Sequence, residues 1–373
     1  MMKKKLYIFI VIILSFLIFA TYKIFVENKT IVEKDTILAM DTQISWVIYE
    51  KPSLYPLDLN AKIKTRIDEL VKLLSVTDEN SEIYKVNHHQ ERDIKLSEDT
   101  KNVVLFALQM AEKTNGALEP TIYPVLREWG FTTGKYQIPD ETKIRDLLNY
   151  VDYRKVSLKE NQIYLPDGMQ IDLGAVAKGY IGDEIIKILK ANNISSAVIN
   201  LGGNVQLLGT KPNGDLWNIG LKSPNSQDYI GILRLADCAI VTSGNYERYF
   251  IGEDNKRYWH ILDGKTRKPA DKHINSVTIV TKQGKLGDDL TTEIFVMGVD
   301  EAINYWKQNK DENDAFEMIL ITDDKKIYIT ENLVDSFTLK DKYKDYHMVV
   351  ISLCRVFFCV CWVFNLCFYV LRK

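Results

Sequence analysis

The sequence predicts an α+β fold, and three observations support this class. Segments of strand-like composition become frequent from residue 155 onward. Helical segments lie among them without the strict alternation that a doubly wound sheet needs. The chain of 373 residues is 46% hydrophobic and 26% charged, which is ordinary for a globular protein with a sizeable core. Its net charge of −2 gives no support to nucleic-acid binding, which usually requires a basic face.

Residues 1–26 have the character of a membrane anchor or a secretion signal. Three lysines at positions 3–5 precede an apolar run from Leu6 to Phe25, which only Lys23 interrupts. Because no A-x-A cleavage site is obvious, we expect an uncleaved anchor rather than a cleaved signal. The lysines then stay inside the cell, and the rest of the chain is exported.

The elements of the body are predicted in chain order from periodicity and turn signals. A polar linker is expected over residues 27–37, followed by one domain over 38–338. Helices are predicted over 59–74, 100–114, 144–149, 175–191, 288–297 and 300–309, and residues 81–87 fit either a loop or a short helix. Strands are predicted over 42–49, 155–158, 162–165, 196–201, 205–208, 217–221, 230–235, 239–241, 258–262, 275–281, 318–321 and 327–329.

A second hydrophobic segment, residues 348–371, lies near the C-terminus. It is about long enough to span a bilayer, but Arg355 and Asn365 would be costly inside lipid. We expect a tail with no catalytic part, and two interpretations of it stay open: a second anchor, and a read-through or frameshifted end. The segment contains four of the five cysteines. Cys238 is therefore the only cysteine of the body, and the body has no internal disulfide.

Residues 169–209 have the outline of a nucleotide-phosphate site. Asp172 ends a short strand, the next helix carries Lys178, and a later strand runs into Gly202 and Gly203. Glycines let backbone N–H groups approach a ligand, and a helix N-terminus favours anions. Asp172 fits equally as a ligand-binding carboxylate and as the cap of that helix. A cation such as Lys178 in the first turn opposes the helix dipole unless a phosphate lies nearby.

Two further clusters contain groups suited to catalysis. Asp288 and Thr292 are spaced i and i+4, so on a helix they share one face that can bind a hard cation such as Mg2+. A plain capped helix start is the alternative for this pair. In the segment 241–270, Arg248 and His260 are placed to meet an anionic group, although His260 also fits a buried strand position.

In chain order these segments resemble the ApbE family, the FAD:protein FMN transferases, over roughly residues 38–335. The residues that carry the resemblance are Met40-Asp41-Thr42 (M-G-T in the family), Ser75 with Ser81-Glu82-Ile83 and Asn87, Gly116 to Thr121 (G-A-F-D-P-T), Trp129-Gly130-Phe131, Asp172 to Gly179 (D-L-G-G-I-A-K-G), Asn200 to Asn204, Thr242 to Arg248 (T-S-G-D-Y-E-R), His260 to Pro269 (H-I-[IL]-D-P-x-T-G-x-P) and Asp288 to Thr292 (D-A-L-A-T).

The resemblance implies a fold related to the T-fold, with FAD in a cleft and Mg2+ beside its pyrophosphate. It also implies transfer of FMN to a Thr or Ser hydroxyl of an acceptor flavoprotein, leaving AMP. For this chain we expect a bacterial cell-membrane protein whose catalytic domain lies on the extracytoplasmic side. By position, Met40, Ala117, Leu118, Glu119, Asp172 and Lys178 would line the FAD site; Ala175 (through its carbonyl), Asp288 and Thr292 would hold Mg2+; and His260 would lie near the transfer chemistry.

The chain also departs from the family's motifs. The departures are Asp41 for Gly, Thr77 where a Tyr often stacks on the flavin, Glu119 for Asp, Asn245 for Asp, Gly264 for Pro and Arg267 for Gly. They motivate two alternatives: a surface FAD-binding protein without catalysis, and an FAD pyrophosphatase that releases FMN and AMP.

Overall fold

A computed structural model describes residues 12–19, 21, 30–88, 94–310 and 314–352. The helices are α1 (Leu59–Leu74), α2 (Glu82–Asn87), α3 (Glu98–Lys113), α4 (Tyr123–Glu128), α5 (Glu141–Leu147), α6 (Gly174–Ala191), α7 (Gly284–Met297) and α8 (Val299–Asn309). The strands are β1 (Thr30–Ala39), β2 (Thr42–Glu50), β3 (Ile94–Lys95), β4 (Ser157–Lys159), β5 (Gln162–Tyr164), β6 (Ala197–Leu201), β7 (Asn204–Leu208), β8 (Trp217–Lys222), β9 (Tyr229–Leu235), β10 (Ala239–Gly244), β11 (Tyr249–Ile251), β12 (Arg257–Trp259), β13 (Ile274–Thr281), β14 (Phe316–Thr322), β15 (Lys326–Thr330), β16 (Phe337–Leu339) and β17 (His347–Ile351).

A nine-stranded sheet forms the centre of the fold, in the order β1-β2-β6-β7-β10-β13-β14-β15-β17. Its pairs are antiparallel except for the last, β15 with β17, which is parallel. Smaller sheets contain β16-β9-β8, β3-β5-β4 and the hairpin β11-β12. Helices gather on one face of an otherwise antiparallel sheet, so the predicted α+β class is confirmed.

The two faces of the large sheet bury separate cores, because side chains alternate along each strand. On one face Ile44, Trp46 and Ile48 of β2 pack with the helices, and all three are buried. On the other face Ile240 and Ile319 pack with the small sheet that contains β8 and β9. Helices α6 and α7 therefore lie against the first face of the sheet with apolar side chains inward, and α7 packs on the central strand β10 and its neighbour β13.

The linker expected over 27–37 is wrong from Thr30 onward, because this stretch is strand β1. Charged residues at 33–35 suggested a solvated linker, but β1 is an edge strand, where charges are tolerated and discourage further pairing. Its backbone pairs with β2 from Thr30 opposite Glu50 to Ala39 opposite Thr42, with one shift of register between Ile31 and Glu33. Residues 27–29 lie outside the described part.

The helix expected over 288–297 begins four residues earlier, at Gly284. The N–H groups of Gly284 and Lys285 donate to the carboxylate of Asp183, at 2.6 and 3.0 Å. Asp183 belongs to α6, about a hundred residues upstream, so no local pattern announces this cap. Asp288 consequently lies inside the helix, and the interpretation of Asp288 as a capping residue is wrong.

The hydrophobic ends of the chain are described only in part. Residues 12–19 are helical, and no helix among the described residues is both long and apolar enough to cross a bilayer. At the other end, residues 348–351 of the predicted hydrophobic segment belong to β17, whose Ile351 is buried. The rest of that segment lies outside the described residues.

Candidate active site

A cleft of about 520 Å³ opens where α6 and α7 meet β10 and the segments around residues 117–126 and 260–262. This volume is in the range of small-molecule sites. The residues named by the sequence converge here: the cleft is lined by Met40, Ala117, Leu118, Glu119, Asp172, Ala175, Lys178, His260, Asp288 and Thr292, among others. Thr77, at the position of a stacking tyrosine in the family motif, is not among the lining residues.

Helices α6 and α7 cross in backbone contact, and two glycines allow it. A Cβ added to Gly179 would lie 2.2 Å from the carbonyl oxygen of Gly284, so any larger residue would force the helices apart. Gln206 fills the space beside both glycines and donates to the Gly179 carbonyl at 3.1 Å. This close crossing brings Lys178 of one helix to Asp288 of the other.

Asp288 is 4% exposed, and its two oxygens have different surroundings. Oδ2 accepts the N–H of Gly179 at 3.0 Å, and Oδ1 lies 3.6 Å from Nζ of Lys178. Burial raises the pKa of Asp288, and the Lys178 ammonium opposes this. In a regular helix the Gly179 N–H donates to the carbonyl of Ala175, so Asp288 and Ala175 compete to accept one hydrogen bond. Both groups thus have lone pairs at the same end of the cleft.

Asp172 is both a cap and a residue of the cleft wall. Its Oδ1 accepts the N–H of Gly174, the first residue of α6, at 2.8 Å. Its own N–H donates to the Pro120 carbonyl at 2.8 Å, which ties the 117–120 segment to the start of α6. Burial raises the pKa of Asp172, whereas the Gly174 bond and the charges of Arg248 and Lys178 lower it. The two interpretations of Asp172 are therefore compatible.

His260 follows β12 directly instead of lying within a longer strand, as the sequence had predicted. The backbone N–H of His260 donates to the Arg248 carbonyl at 3.0 Å, and the ring nitrogen Nδ1 lies 3.3 Å from the same oxygen. A carbonyl only accepts, so Nδ1 carries the proton and Nε2 keeps a free lone pair. Burial, with the charges of Arg248 and Lys178, lowers the pKa of His260 to about 3. The imidazole is neutral at physiological pH and can act as a base.

The wall opposite the helices is built from the loops 117–121 and 260–269. Glu119 directs its carboxylate to the backbone: Oε1 accepts the Thr121 N–H at 2.9 Å, and Oε2 accepts the Tyr153 N–H at 3.2 Å. Burial raises the pKa of this carboxyl. A Cβ at Gly264 would lie 2.9 Å from Cβ of Glu119, so the second loop reaches the first only because residue 264 is a glycine.

Two of the departures from glycine keep a glycine-like backbone. Asp41 has φ +56° and Arg267 has φ +60°, in the left-handed region. The Arg267 carbonyl accepts the indole N–H of Trp129 at 2.9 Å, which fixes this turn against an aromatic cluster. The loop geometry near His260 is thus reached with residues that bear side chains.

Several cleft residues were not named as site residues from the sequence. Lys222, at the end of β8, was missed, because a lysine ending a strand carries no local signal; its Nζ lies 5.4 Å from the ring of Tyr246. Glu247 also lines the cleft; burial raises its pKa, and Lys222 and Lys178 oppose the rise. Helical spacing separates Asp288 from its neighbour Asp289, which is fully buried and does not line the cleft.

The sequence profile of the ApbE family matches residues 40–316. Among curated proteins, the chain is 33% identical over 278 residues to an FAD:protein FMN transferase of Klebsiella pneumoniae (strain 342), covering 72% of this chain and 84% of the relative. It is 32% identical over 254 residues to an FAD:protein FMN transferase of Treponema pallidum (strain Nichols), covering 63% and 68% of the two chains.

Solved structures give the same match for the fold. The crystal structure of the ApbE protein of Thermotoga maritima superposes with a TM-score of 0.71 at 27% identity, covering 84% of this chain and 99% of that one. The flavin transferase ApbE of Vibrio cholerae also gives a TM-score of 0.71, at 24% identity and with 85% and 99% of the chains covered.

Proposed function

Because the chain belongs to the ApbE family, we infer that it is an FAD:protein FMN transferase, an enzyme that moves FMN from FAD to a protein. One observation supports this most strongly. The residues that the family motifs assign to FAD, to the metal and to proton transfer come from five separate segments and line a single cleft. Such convergence is expected of a functional site rather than of five unrelated structural motifs.

We propose that the cleft takes Mg2+ at the carbonyl of Ala175 and the side chains of Asp288 and Thr292. The charges of the lining support an added cation: five carboxylates face three cations, namely Asp41, Glu119, Asp172, Glu247 and Asp288 against Lys178, Lys222 and Arg248. FAD would add its own negative pyrophosphate to this excess. When bound, Mg2+ stabilises charge that develops on the pyrophosphate as it splits.

The donor set is a sparse one. No group of three or more His, Cys, Asp or Glu side chains with metal-binding spacing occurs among the described residues. Mg2+ suits such a set, because it keeps several waters and is bound through one or two carboxylates together with substrate phosphates. The donors are hard oxygens, which also favours Mg2+ over softer metals.

Lys178 has two partners in this proposal. Its ammonium lies 3.6 Å from Asp288 Oδ1 in the described structure. A cation at Asp288 would displace the ammonium from that oxygen and leave it for the pyrophosphate. Lys178, in the first turns of α6, could then stabilise the negative charge that develops on the pyrophosphate.

We propose His260 as the base of the transfer. The acceptor's Thr or Ser oxygen attacks the phosphorus of the FMN half, the bond between the two phosphates breaks, and AMP leaves. The hydroxyl proton passes to Nε2 of His260, the nitrogen that the Arg248 carbonyl leaves free. Phe131, whose ring centroid is 6.4 Å from that of His260 at an edge-on angle, restricts the ring's orientation.

We further propose that the chain is anchored in a bacterial cell membrane with its catalytic domain outside the cytoplasm. The lysines at positions 3–5 followed by the apolar run from Leu6 to Phe25 support this location. Fusing a reporter enzyme that is active only outside the cytoplasm after residue 340 tests it. An inactive reporter would refute the location.

One assay separates transfer from the two alternatives. The full chain is incubated with FAD, Mg2+ and an acceptor protein that the Klebsiella pneumoniae relative labels, and covalent flavin is detected by fluorescence on a denaturing gel. We expect labelled acceptor and an equal amount of AMP. AMP without labelling would show an FAD pyrophosphatase. Bound FAD with neither product would show a non-catalytic FAD-binding protein.

A further inference from the structure

Two hydroxyl groups beside the proposed metal ligands form a short chain of hydrogen bonds. Thr291 is fully buried on α7, and its Oγ1 donates to the carbonyl of Asp288 at 2.7 Å. Ser243, near the end of β10, has its Oγ 2.9 Å from Oγ1 of Thr291. Ser243 lines the cleft, and Thr291 does not.

The direction of these bonds is fixed by the carbonyl at the end of the chain. A carbonyl oxygen only accepts, so the single proton of Thr291 goes to Asp288. Thr291 then has only lone pairs for Ser243, and the proton of Ser243 must point toward Thr291. What Ser243 presents to the cleft is therefore an oxygen whose own proton is already used.

An oxygen of this kind selects its partner by charge. It cannot donate to a phosphate oxygen, which only accepts, but it can bind a cation or accept from a donor. Hydroxyl oxygens of Ser and Thr are established ligands of Mg2+ in other phosphate sites. Ser243 stands on β10, which packs on α7, the helix of Asp288 and Thr292, and all three residues line one cleft.

We propose that Ser243 is a further protein ligand of the divalent cation, and that Thr291 is a positioning residue that turns the Ser243 lone pairs toward it. This rests on the metal site of the proposed function. The family motif that Asp288 to Thr292 resembles, D-A-L-A-T, has Ala at the position of Thr291. The orienting hydroxyl is thus a departure of this chain from that motif.

The test measures metal binding and not turnover. Mn2+ is titrated into the full chain with FAD present and no acceptor protein, against a protein-free FAD blank; free Mn2+ is followed by electron paramagnetic resonance, and Mg2+ competes in a second titration. We expect Ser243→Ala to weaken Mn2+ binding about tenfold, the lower end of what lost metal-site partners cost. Thr291→Val keeps the buried volume and removes the hydroxyl, and it should weaken binding about threefold, on the order of half that effect in free energy.

The conservative variant and a matched control complete the design. Thr291→Ser keeps the hydroxyl and should restore wild-type affinity, which a merely structural role of the methyl group would not predict. Thr330→Val removes a buried hydroxyl that is bonded to the backbone of Met318; neither residue lines the cleft, and the affinity should be unchanged.

The outcomes separate this proposal from the metal site itself. If Ser243→Ala binds Mn2+ within twofold of wild type while Asp288→Ala has lost it, the role of Ser243 is refuted and the metal site stands. If Asp288→Ala binds as tightly as wild type, or wild type binds no Mn2+, both assignments are refuted. Thermal unfolding of each variant shows whether it folds; should Ser243→Ala not fold, equal affinities of Thr291→Val and Thr291→Ser would refute the orienting role.

Discussion

The two walls of the cleft are built in different ways. The helix wall, residues 174–179 of α6 and 284–292 of α7, has its side chains fixed by two helix backbones in contact through Gly179 and Gly284. The loop wall, residues 117–121 and 260–269, has its shape fixed by single hydrogen bonds and by one close approach at Gly264. The groups proposed for Mg2+ lie on the helix wall, where position is least adjustable. The departures at 119, 264 and 267 fall on the loop wall, whereas the departure at Thr291 is a buried position of the helix wall that does not line the cleft.

The two walls differ in how a substitution affects them. On the helix wall a larger residue at the crossing would separate Lys178 from Asp288 and disturb the whole charge arrangement. On the loop wall the departures touch one another, since the turn containing Gly264 and Arg267 packs on the loop of Glu119. The effect of a change on one loop therefore depends on the residue that it meets on the other loop.

The largest effect is expected at the helix wall. Asp288→Ala should lower FMN transfer more than a hundredfold, because it removes the one carboxylate proposed for the metal. Asp289→Asn is the matched control, since Asp289 is the adjacent carboxyl, is fully buried and lies outside the cleft lining. Transfer is measured by flavin fluorescence of the acceptor. Full activity of Asp288→Ala in added Mg2+ would show that the metal assignment is wrong.

The second largest effect tests whether the loop wall takes part in the chemistry. His260→Asn should lower transfer about a hundredfold, the lower range for loss of a general base. Because the pKa of His260 in the fold is about 3, the wild-type pH–rate profile should lack the limb near pH 6.5 that an ordinary histidine gives. An equally active Asn variant would remove His260 from the mechanism.

The lowered pKa of His260 also affects how the stability of the fold depends on pH. The unfolded chain protonates His260 below about pH 6.5, whereas the folded chain keeps it neutral down to about pH 3. The unfolded state therefore binds more protons in this window, so the contribution of His260 to stability is complete above pH 6.5 and is lost as the pH falls. Urea unfolding of His260→Asn should show a shallower loss of stability between pH 6.5 and 4 than wild type.

A smaller effect is expected from the close approach of the two loops. Gly264→Ala places a Cβ 2.9 Å from Cβ of Glu119, an overpacking that should cost about 1–3 kcal/mol of unfolding free energy. In a double-mutant cycle, Glu119→Gly should reduce that cost, because it removes the Cβ of residue 119 with which the new Cβ of residue 264 would clash. Strictly additive effects in denaturant unfolding would show that the loops do not depend on each other.

The smallest effect is expected at Arg267. Its φ of +60° is strained for a residue with a side chain, its Nε is buried without a hydrogen-bond partner, and burial lowers the pKa of its guanidinium. Arg267→Gly should raise the unfolding free energy by up to about 1 kcal/mol and leave transfer unchanged. A loss of transfer in this variant would show that the Arg267 guanidinium contributes to FMN transfer, contrary to this prediction.

The sequence predicted the helix wall better than the loop wall, for a physical reason. Asp288 and Thr292 share a face through helical spacing, and Asp172 and Lys178 flank a recognisable helix start. The spacing of these residues in the sequence therefore predicts which side chains lie close together. The cap of α7 by Asp183 and the diversion of the Gly179 N–H to Asp288 depend on the crossing of two helices distant in sequence. No window of the sequence contains those contacts.

Other elements were missed because their signal is weak or nonlocal. Strand β1 contains a charged middle and is recognised only by its pairing with β2. The hairpin β11-β12, which positions His260, has strands of three residues each. The role of Ser243 needs the direction of a hydrogen bond, which depends on Thr291 nearly fifty residues later.

We propose that this cleft transfers FMN to a protein hydroxyl with a metal bound at its helix wall. Mass spectrometry of the acceptor after incubation with the full chain and FAD tests both parts of this proposal. We expect an acceptor heavier by one phosphate-linked FMN on a single Thr or Ser, formed in Mg2+ and absent with a chelator or with Asp288→Ala. An acceptor that gains no mass with the wild-type chain, or gains FMN equally with the chelator and with Asp288→Ala, would refute the proposal.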